Sequence, residues 1–182
     1  QATKRNNNNN TFLTAASFSS SFRSHGSALT GEVRCKEKKQ LTRNPNFKKV
    51  SEADIDFFKG VLGYPERSKK SVATTDIDKF NFDWFQDYKG DAPCVLLPKT
   101  TEEVSEIMKY CNKEKIAVVP QGGNTGFVGG SVPVFDEVVI SLQRMNRVLE
   151  IDEISGTLKT QAGAILENLD NEVQSKGFLM PI

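Results

Sequence analysis

Apolar positions in this chain recur in two kinds of pattern. Behind Ser51, Ile55, Phe58 and Leu62 return at three- and four-residue spacing, which predicts a capped amphipathic helix over 52–62, closed by Gly63-Tyr64-Pro65. The spacing returns at Val104, Ile107, Met108 and Cys111, behind Thr100 and Thr101 as N-caps. Glu102 and Glu103 there sit in the first turn, where the helix dipole favours acids, and the helix ends near 113–115. Ile165, Leu166, Leu169 and Val173 predict a third helix over 164–176, capped by Gly177.

The other pattern is the short unbroken run. Cys94-Val95-Leu96-Leu97 between two prolines, and Ile116-Ala117-Val118-Val119, predict strands buried on both faces. Strand, helix and strand over 94–119 form a βαβ unit with parallel strands and a right-handed crossover, which makes Cys111 a core residue. Residues 137–142 predict a further strand. Alternation over 147–152 and 157–162, around Glu153-Ile154-Ser155-Gly156, predicts an antiparallel hairpin that Gly163 breaks. Residues 67–75 read as loop, and the aromatic cluster of Phe80, Phe82, Trp84, Phe85 and Tyr88 reads as core. The fold class expected is α/β (α+β).

Between the strand at 116–119 and the one at 137–142 lies PQGGNTGFVGGSVP, residues 120–133, with Gly122, Gly123, Gly126, Gly129 and Gly130. Glycine carries no Cβ, so backbone N–H groups in such a loop can turn toward one point and approach an anion closely. Asn124, Thr125 and Ser131 add short polar side chains at the rim. No Gly-x-x-x-x-Gly-Lys-Ser/Thr and no Gly-x-Gly-x-x-Gly occurs in the chain, so neither the nucleoside triphosphate loop nor the dinucleotide fingerprint is present. By spacing alone the loop is a diphosphate cradle of a third kind or a set of tight turns.

Composition narrows the chemistry. The 182 residues carry 24 basic and 23 acidic side chains for a net charge of +1, which gives no electrostatic case for nucleic acid or an anionic membrane. No apolar run approaches the roughly 18 residues of a spanning helix. Cys35, Cys94 and Cys111 are odd in number and show no Cys-x-x-Cys spacing, against a disulfide framework or a zinc site. The one histidine, His25, lies in the N-terminal region, so past it this chain supplies no Ser-His-Asp triad and no histidine ligand or base. Residues 1–31 are basic, rich in serine and asparagine and free of acids, the composition of a mitochondrial transit peptide. With a polar, basic linker, residues 1–46 read as leader and 47–182 as the folded part.

The string at 120–133, followed by Phe135-Asp136-Glu137-Val138-Val139-Ile140-Ser141 and Arg144-Met145-Asn146-Arg147-Val148, resembles the pyrophosphate loop of FAD-linked 2-hydroxyacid dehydrogenases. These are flavoproteins of the vanillyl-alcohol oxidase (PCMH) type. Within them the likeness is strongest to the mitochondrial D-2-hydroxyglutarate dehydrogenases, ahead of D-lactate dehydrogenases and the glycolate oxidase flavin subunit. The resemblance implies a PCMH-type FAD-binding domain of two α/β subdomains, of which the βαβ subdomain is complete here and the second is truncated. It implies that Pro120, Gln121, Gly122, Gly123, Asn124, Thr125 and Gly126 present backbone to the pyrophosphate. Gly129, Gly130 and Ser131 continue that wall, and Ala162 and Gly163 let the flavin side approach. Asn124 stands where some relatives tether flavin through a histidine, which implies non-covalent FAD.

The reaction so implied is oxidation of a D-2-hydroxy acid, a small-molecule substrate, to its 2-oxo acid. A base takes the hydroxyl proton, the flavin takes hydride, and electrons pass on to electron-transfer flavoprotein in the mitochondrial matrix. Such enzymes continue beyond Met180-Pro181 with a second flavin segment, a substrate domain and metal-binding histidines, so these residues read as an N-terminal portion with no catalytic or metal-binding residue of their own. Two other readings stay open: a non-catalytic FAD-binding product with an exposed apolar terminus at 178–182, and a βαβ module for another phosphate ligand.

Overall fold

The computed structural model describes residues 42–63 and 71–181. The leader reading of residues 1–41, and the expected helix stop at Tyr64-Pro65, lie outside them. Ten elements follow in order: α1 (Glu52–Val61), β1 (Val72–Ala73), α2 (Asp78–Asn81), β2 (Val95–Leu96), α3 (Thr101–Glu114), β3 (Val118–Gln121), β4 (Val138–Ser141), β5 (Val148–Asp152), β6 (Thr157–Thr160) and α4 (Leu166–Gln174).

The three long helices form where the periodicity puts them. The Ser51 backbone N–H and hydroxyl both donate to the Asp54 carboxylate, at 2.8 and 2.6 Å, which closes the first turn of α1. Thr100 Oγ1 accepts from Glu103 N at 3.2 Å to start α3, and Lys115 ends it in the left-handed region at φ +58°. Past α4, Gly177 at φ +82° turns the chain and its N–H donates to Gln174 O. Ile165 and Leu166, expected on the apolar face of that helix, are exposed, while Leu169 and Val173 are buried.

The sheet runs β1-β2-β4-β3. β2 and β3 are the two strands of the expected βαβ unit, yet they are not neighbours: β4 lies between them, parallel to both. β1, in a stretch expected to be loop, adds antiparallel to β2. β3 begins two residues later than its apolar run, because Ile116 pairs instead with Lys48, ahead of α1. Pro120 is accepted because β3 is an edge strand of this sheet. β5 and β6 form the separate antiparallel hairpin.

Continuous apolar runs arise here because both sheet faces are covered. Cys94, Leu96, Val138 and Ile140 pack with Phe58 and Leu62 of the α1 region and with Ile107 and Cys111 of α3. Burying each of these large side chains contributes about 1.5–3 kcal/mol. Burial pushes the Cys94 thiol up to about 12 and that of Cys111 up to about 11, so both are inert core residues.

On the opposite face Val95, Leu97 and Val139 meet Phe80 and Ala92. Phe80 is the one member of the aromatic cluster that enters this core. Trp84 and Phe85 are 64% and 62% exposed, because residues 82–89 form a tight hairpin that carries them outward. There Phe85 meets Phe127 with ring centroids 4.9 Å apart. Among the described residues no helix is long and apolar enough to cross a membrane.

Candidate functional site

Two adjacent parallel strands must be joined by a crossover, and between β3 and β4 that connection is residues 122–137, which contain neither helix nor strand. The glycine-rich stretch is therefore the crossover itself. It leaves the carboxyl end of β3, where Gln121 stands opposite Ser141 at the carboxyl end of β4. In open α/β sheets this is the end where ligands bind. A cavity of about 280 Å³ opens there.

Four stretches of chain line it. The crossover brings Gln121, Gly122, Gly123 and Asn124, the end of β4 brings Ser141 and Gln143, α2 brings Lys79 and Phe80, and the turn before α4 brings Gly163 and Ile165. Five residues expected at the site from the sequence are thus together: Gln121, Gly122, Gly123, Asn124 and Gly163. Pro120, Thr125, Gly126, Gly129, Gly130, Ser131 and Ala162 stand outside the lining.

The polar side chains of the crossover hold it in place. Gln121 is buried, and its Nε2 donates to Phe80 O and Ser131 O, both at 3.0 Å. Asn124 sits at φ +55°; its Nδ2 donates to Phe82 O at 2.7 Å and its Oδ1 accepts from Ser131 Oγ at 2.6 Å. These bonds stitch the crossover to α2 and to its own return leg. Their backbone neighbours are left unengaged: among the described residues no acceptor is paired with the N–H of Gly122, Gly123, Thr125 or Gly126.

The glycines divide into two kinds. A Cβ at Gly129 (φ +71°) would lie 2.9 Å from the Tyr88 ring, and one at Gly163 would lie 1.7 Å from Leu142 O, so the fold itself excludes a side chain there. Gly163 packs the turn before α4 directly onto the end of β4, a reason unrelated to ligand approach. At Gly122, Gly126 and Gly130 a Cβ would meet nothing within 4 Å, and at Gly123 only the Thr125 methyl at 3.8 Å. None of these four has positive φ. Protein packing does not require glycine at those positions, and the space in front of them is open.

Lys79, Phe80, Ser141, Gln143 and Ile165 were not expected at the site. A lone lysine in a four-residue helix carries no periodic signal. Ser141 could have been found: it is the polar residue closing an apolar strand, in phase with Val139, at the carboxyl end where ligands bind. Its Oγ is buried and has no hydrogen-bond partner.

A family model described as FAD binding domain matches residues 92–182, half of the chain. D-2-hydroxyglutarate dehydrogenase of Arabidopsis thaliana is 48% identical over 143 residues, which cover 78% of this chain and 25% of that protein. The D-2-hydroxyglutarate–pyruvate transhydrogenase of Saccharomyces cerevisiae is 44% identical over 154 residues, 85% of this chain and 30% of that one. A Schizosaccharomyces pombe protein named as a mitochondrial D-lactate dehydrogenase is 50% identical over 148 residues, 79% and 28%.

The chain thus spans between 25% and 30% of the length of these relatives. Among solved structures, alkyldihydroxyacetonephosphate synthase shares the fold at a TM-score of 0.61 and 21% identity, over 74% of this chain and 26% of that one. 4-Ethylphenol oxidase from Gulosibacter chungangensis shares it at 0.55 and 29%, over 69% and 24%. A match over that span, carried on a shared fold, makes this chain a member of the FAD binding domain family, with FAD as its cofactor.

Proposed function

We propose that this chain forms the FAD-holding part of a mitochondrial D-2-hydroxyacid dehydrogenase, with D-2-hydroxyglutarate as substrate and 2-oxoglutarate as product. The observation that carries the reading is the open glycine wall: unpaired N–H groups at Gly122, Gly123 and Gly126, with no protein atom occupying the space a side chain would fill. A diphosphate needs such a wall, since donors fixed by the fold offset its charge without reorganising. Lys79 lines the same cavity, its ammonium over the Phe80 ring at 4.9 Å from the centroid. Gln121 to Asn124 face the diphosphate, Pro120, Thr125, Gly126, Gly129, Gly130 and Ser131 continue the wall beside it, and Ala162 and Gly163 bring the turn before α4 up to the flavin.

Bound FAD supplies the two-electron acceptor for oxidation of the C2 carbinol. This chain's part is to bind and orient. FAD is held without a covalent bond: among the described residues no histidine, cysteine or tyrosine lines the cavity, and the Asn124 amide is committed to Phe82 and Ser131. Among the described residues Lys79 is the one titratable group at the lining, and none beside it can act as base on a hydroxy acid, which supports a chain that binds the cofactor without turnover. Residues 47–182 form the FAD-binding domain, and residues 1–46 direct it to the mitochondrial matrix.

Electron-transfer flavoprotein takes the electrons. The likeness to the S. cerevisiae transhydrogenase favours a second acceptor, a 2-oxo acid, and that to the S. pombe protein favours D-lactate as the alternative substrate. Titrating FAD with the 182-residue chain tests the reading. Saturable quenching of flavin fluorescence is expected, with no dye reduction on adding D-2-hydroxyglutarate or D-lactate. Failure to bind FAD overturns the assignment, and dye reduction overturns the division of labour.

A further inference from the structure

We infer that Ser141 is a cofactor-binding residue, its hydroxyl donating to a phosphate oxygen of the FAD diphosphate; this rests on the reading of the cavity as the diphosphate site. Ser141 closes β4, and alternation along the strand puts its side chain on the face of Val139, toward Phe80 rather than toward α3. It lines the cavity at 1% exposure, and its Oγ is one of two buried side-chain oxygens left without a partner among the described residues. The other, Asp83 Oδ2, is an acceptor away from the cavity lining.

A buried serine hydroxyl normally finds a nearby carbonyl or side chain, because leaving it unpaired forfeits the hydrogen bonds it had in water. Here no carbonyl or side chain among the described residues takes it. The residue opposite, Gln121, is turned by its amide nitrogen toward Phe80 O and Ser131 O, and its amide oxygen does not accept from Ser141. The cavity it shares also presents the unpaired Gly122 and Gly123 N–H groups and Lys79, beside the Gln121, Asn124 and Gln143 amides. None of these groups takes the Ser141 hydroxyl, and an anion drawn to the open N–H groups brings the acceptor it lacks. A phosphate oxygen, which takes several charged hydrogen bonds at once, is the acceptor this set fits.

The inference has a signature of opposite signs. In the free chain the unpaired hydroxyl is a cost, so Ser141→Ala should raise the unfolding temperature, by about 2–6 °C for a domain of this size. The same change should weaken FAD by about tenfold or more, the loss of one charged hydrogen bond.

The experiment compares the 182-residue chain with its Ser141→Ala form by thermal unfolding without ligand and by titration with FAD, ADP and riboflavin. Support is a Tm that is not lowered, with FAD and ADP weakened by the same factor and riboflavin unchanged. Unaltered FAD and ADP affinity overturns the role of Ser141 and leaves the site reading standing. Weakened riboflavin with unaltered ADP overturns the phosphate assignment. A lowered Tm that accounts for the loss of FAD makes Ser141 structural and also overturns it. If the unsubstituted chain binds no FAD, the site reading fails, and this inference with it.

Discussion

Against α1 and α3, the sheet presents Cys94, Leu96, Val138 and Ile140 to Phe58, Leu62, Ile107 and Cys111, and all of these are buried. Against the other face, Val95, Leu97 and Val139 meet Phe80 and Ala92, and beyond them the cover consists of a hairpin and the glycine-rich crossover. Both orphaned buried oxygens, of Ser141 and Asp83, belong to that second side. So do the left-handed Gln86, Asn124 and Gly129, whereas on the first side the left-handed Lys115 only ends a helix. One face holds the fold chiefly by apolar contact, with its one buried carboxylate, Asp54, fully hydrogen-bonded. The other gives up packing for exposed donors and open space, which is what a binding surface requires.

The comparison breaks most visibly at Phe58. Removing that fully buried ring (Phe58→Ala) should cost about 3–5 kcal/mol in urea unfolding while leaving FAD affinity per folded molecule unchanged. A shift in that affinity would show that the faces are coupled.

Gly123→Val should invert the outcome. With only a methyl 3.8 Å from its Cβ, the substitution should change stability by no more than about 1 kcal/mol, yet weaken FAD roughly a hundredfold by filling the approach. If stability falls as far as for Phe58→Ala, that glycine serves the fold.

Asp54 gives the smallest expected effect and sharpens the account of the closed face. Burial alone would raise its carboxyl, but bonds from Lys48 Nζ (2.7 Å), Ser51 and the Tyr110 hydroxyl (2.7 Å) outweigh burial and hold it well below the usual carboxylate range. The same bond, with burial, pushes the Tyr110 hydroxyl up to about 12. Because the folded value lies below the unfolded one, this stabilisation is complete above about pH 4 and is lost as pH falls toward the folded value. Asp54→Asn should therefore cost about 1–2 kcal/mol at pH 7 and flatten the acid limb of stability against pH, with FAD binding unaltered. An acid limb as steep as in the unsubstituted chain would place the titration elsewhere.

What the sequence made legible follows the same division. Helices α1 and α3 and the runs at 94–97 and 138–141 were readable because burial on a regular element leaves a period or an unbroken run. That β4 enters between β2 and β3 was not readable, since strand order is set by contacts far apart in the chain. The aromatic cluster misled because composition promises burial, whereas the hairpin at 82–89 turns Trp84 and Phe85 outward. At the site, the glycines were visible as a motif, but their two purposes were not: Gly163 and Gly122 look alike until the carbonyl of Leu142 is seen beside one and nothing beside the other. Lys79 reaches the cavity only through tertiary structure.

The late position of the central strand has a consequence for synthesis. A ribosome delivers β2 and β3 well before β4, so until residues 138–141 emerge β2 has only β1 beside it, β3 has no strand of this sheet to join, and their inward edges stay unpaired. A nascent chain stalled within the crossover would present the apolar runs at 94–97 and 116–119 as open templates, and that is the interval in which a chaperone on the translating chain has most to protect.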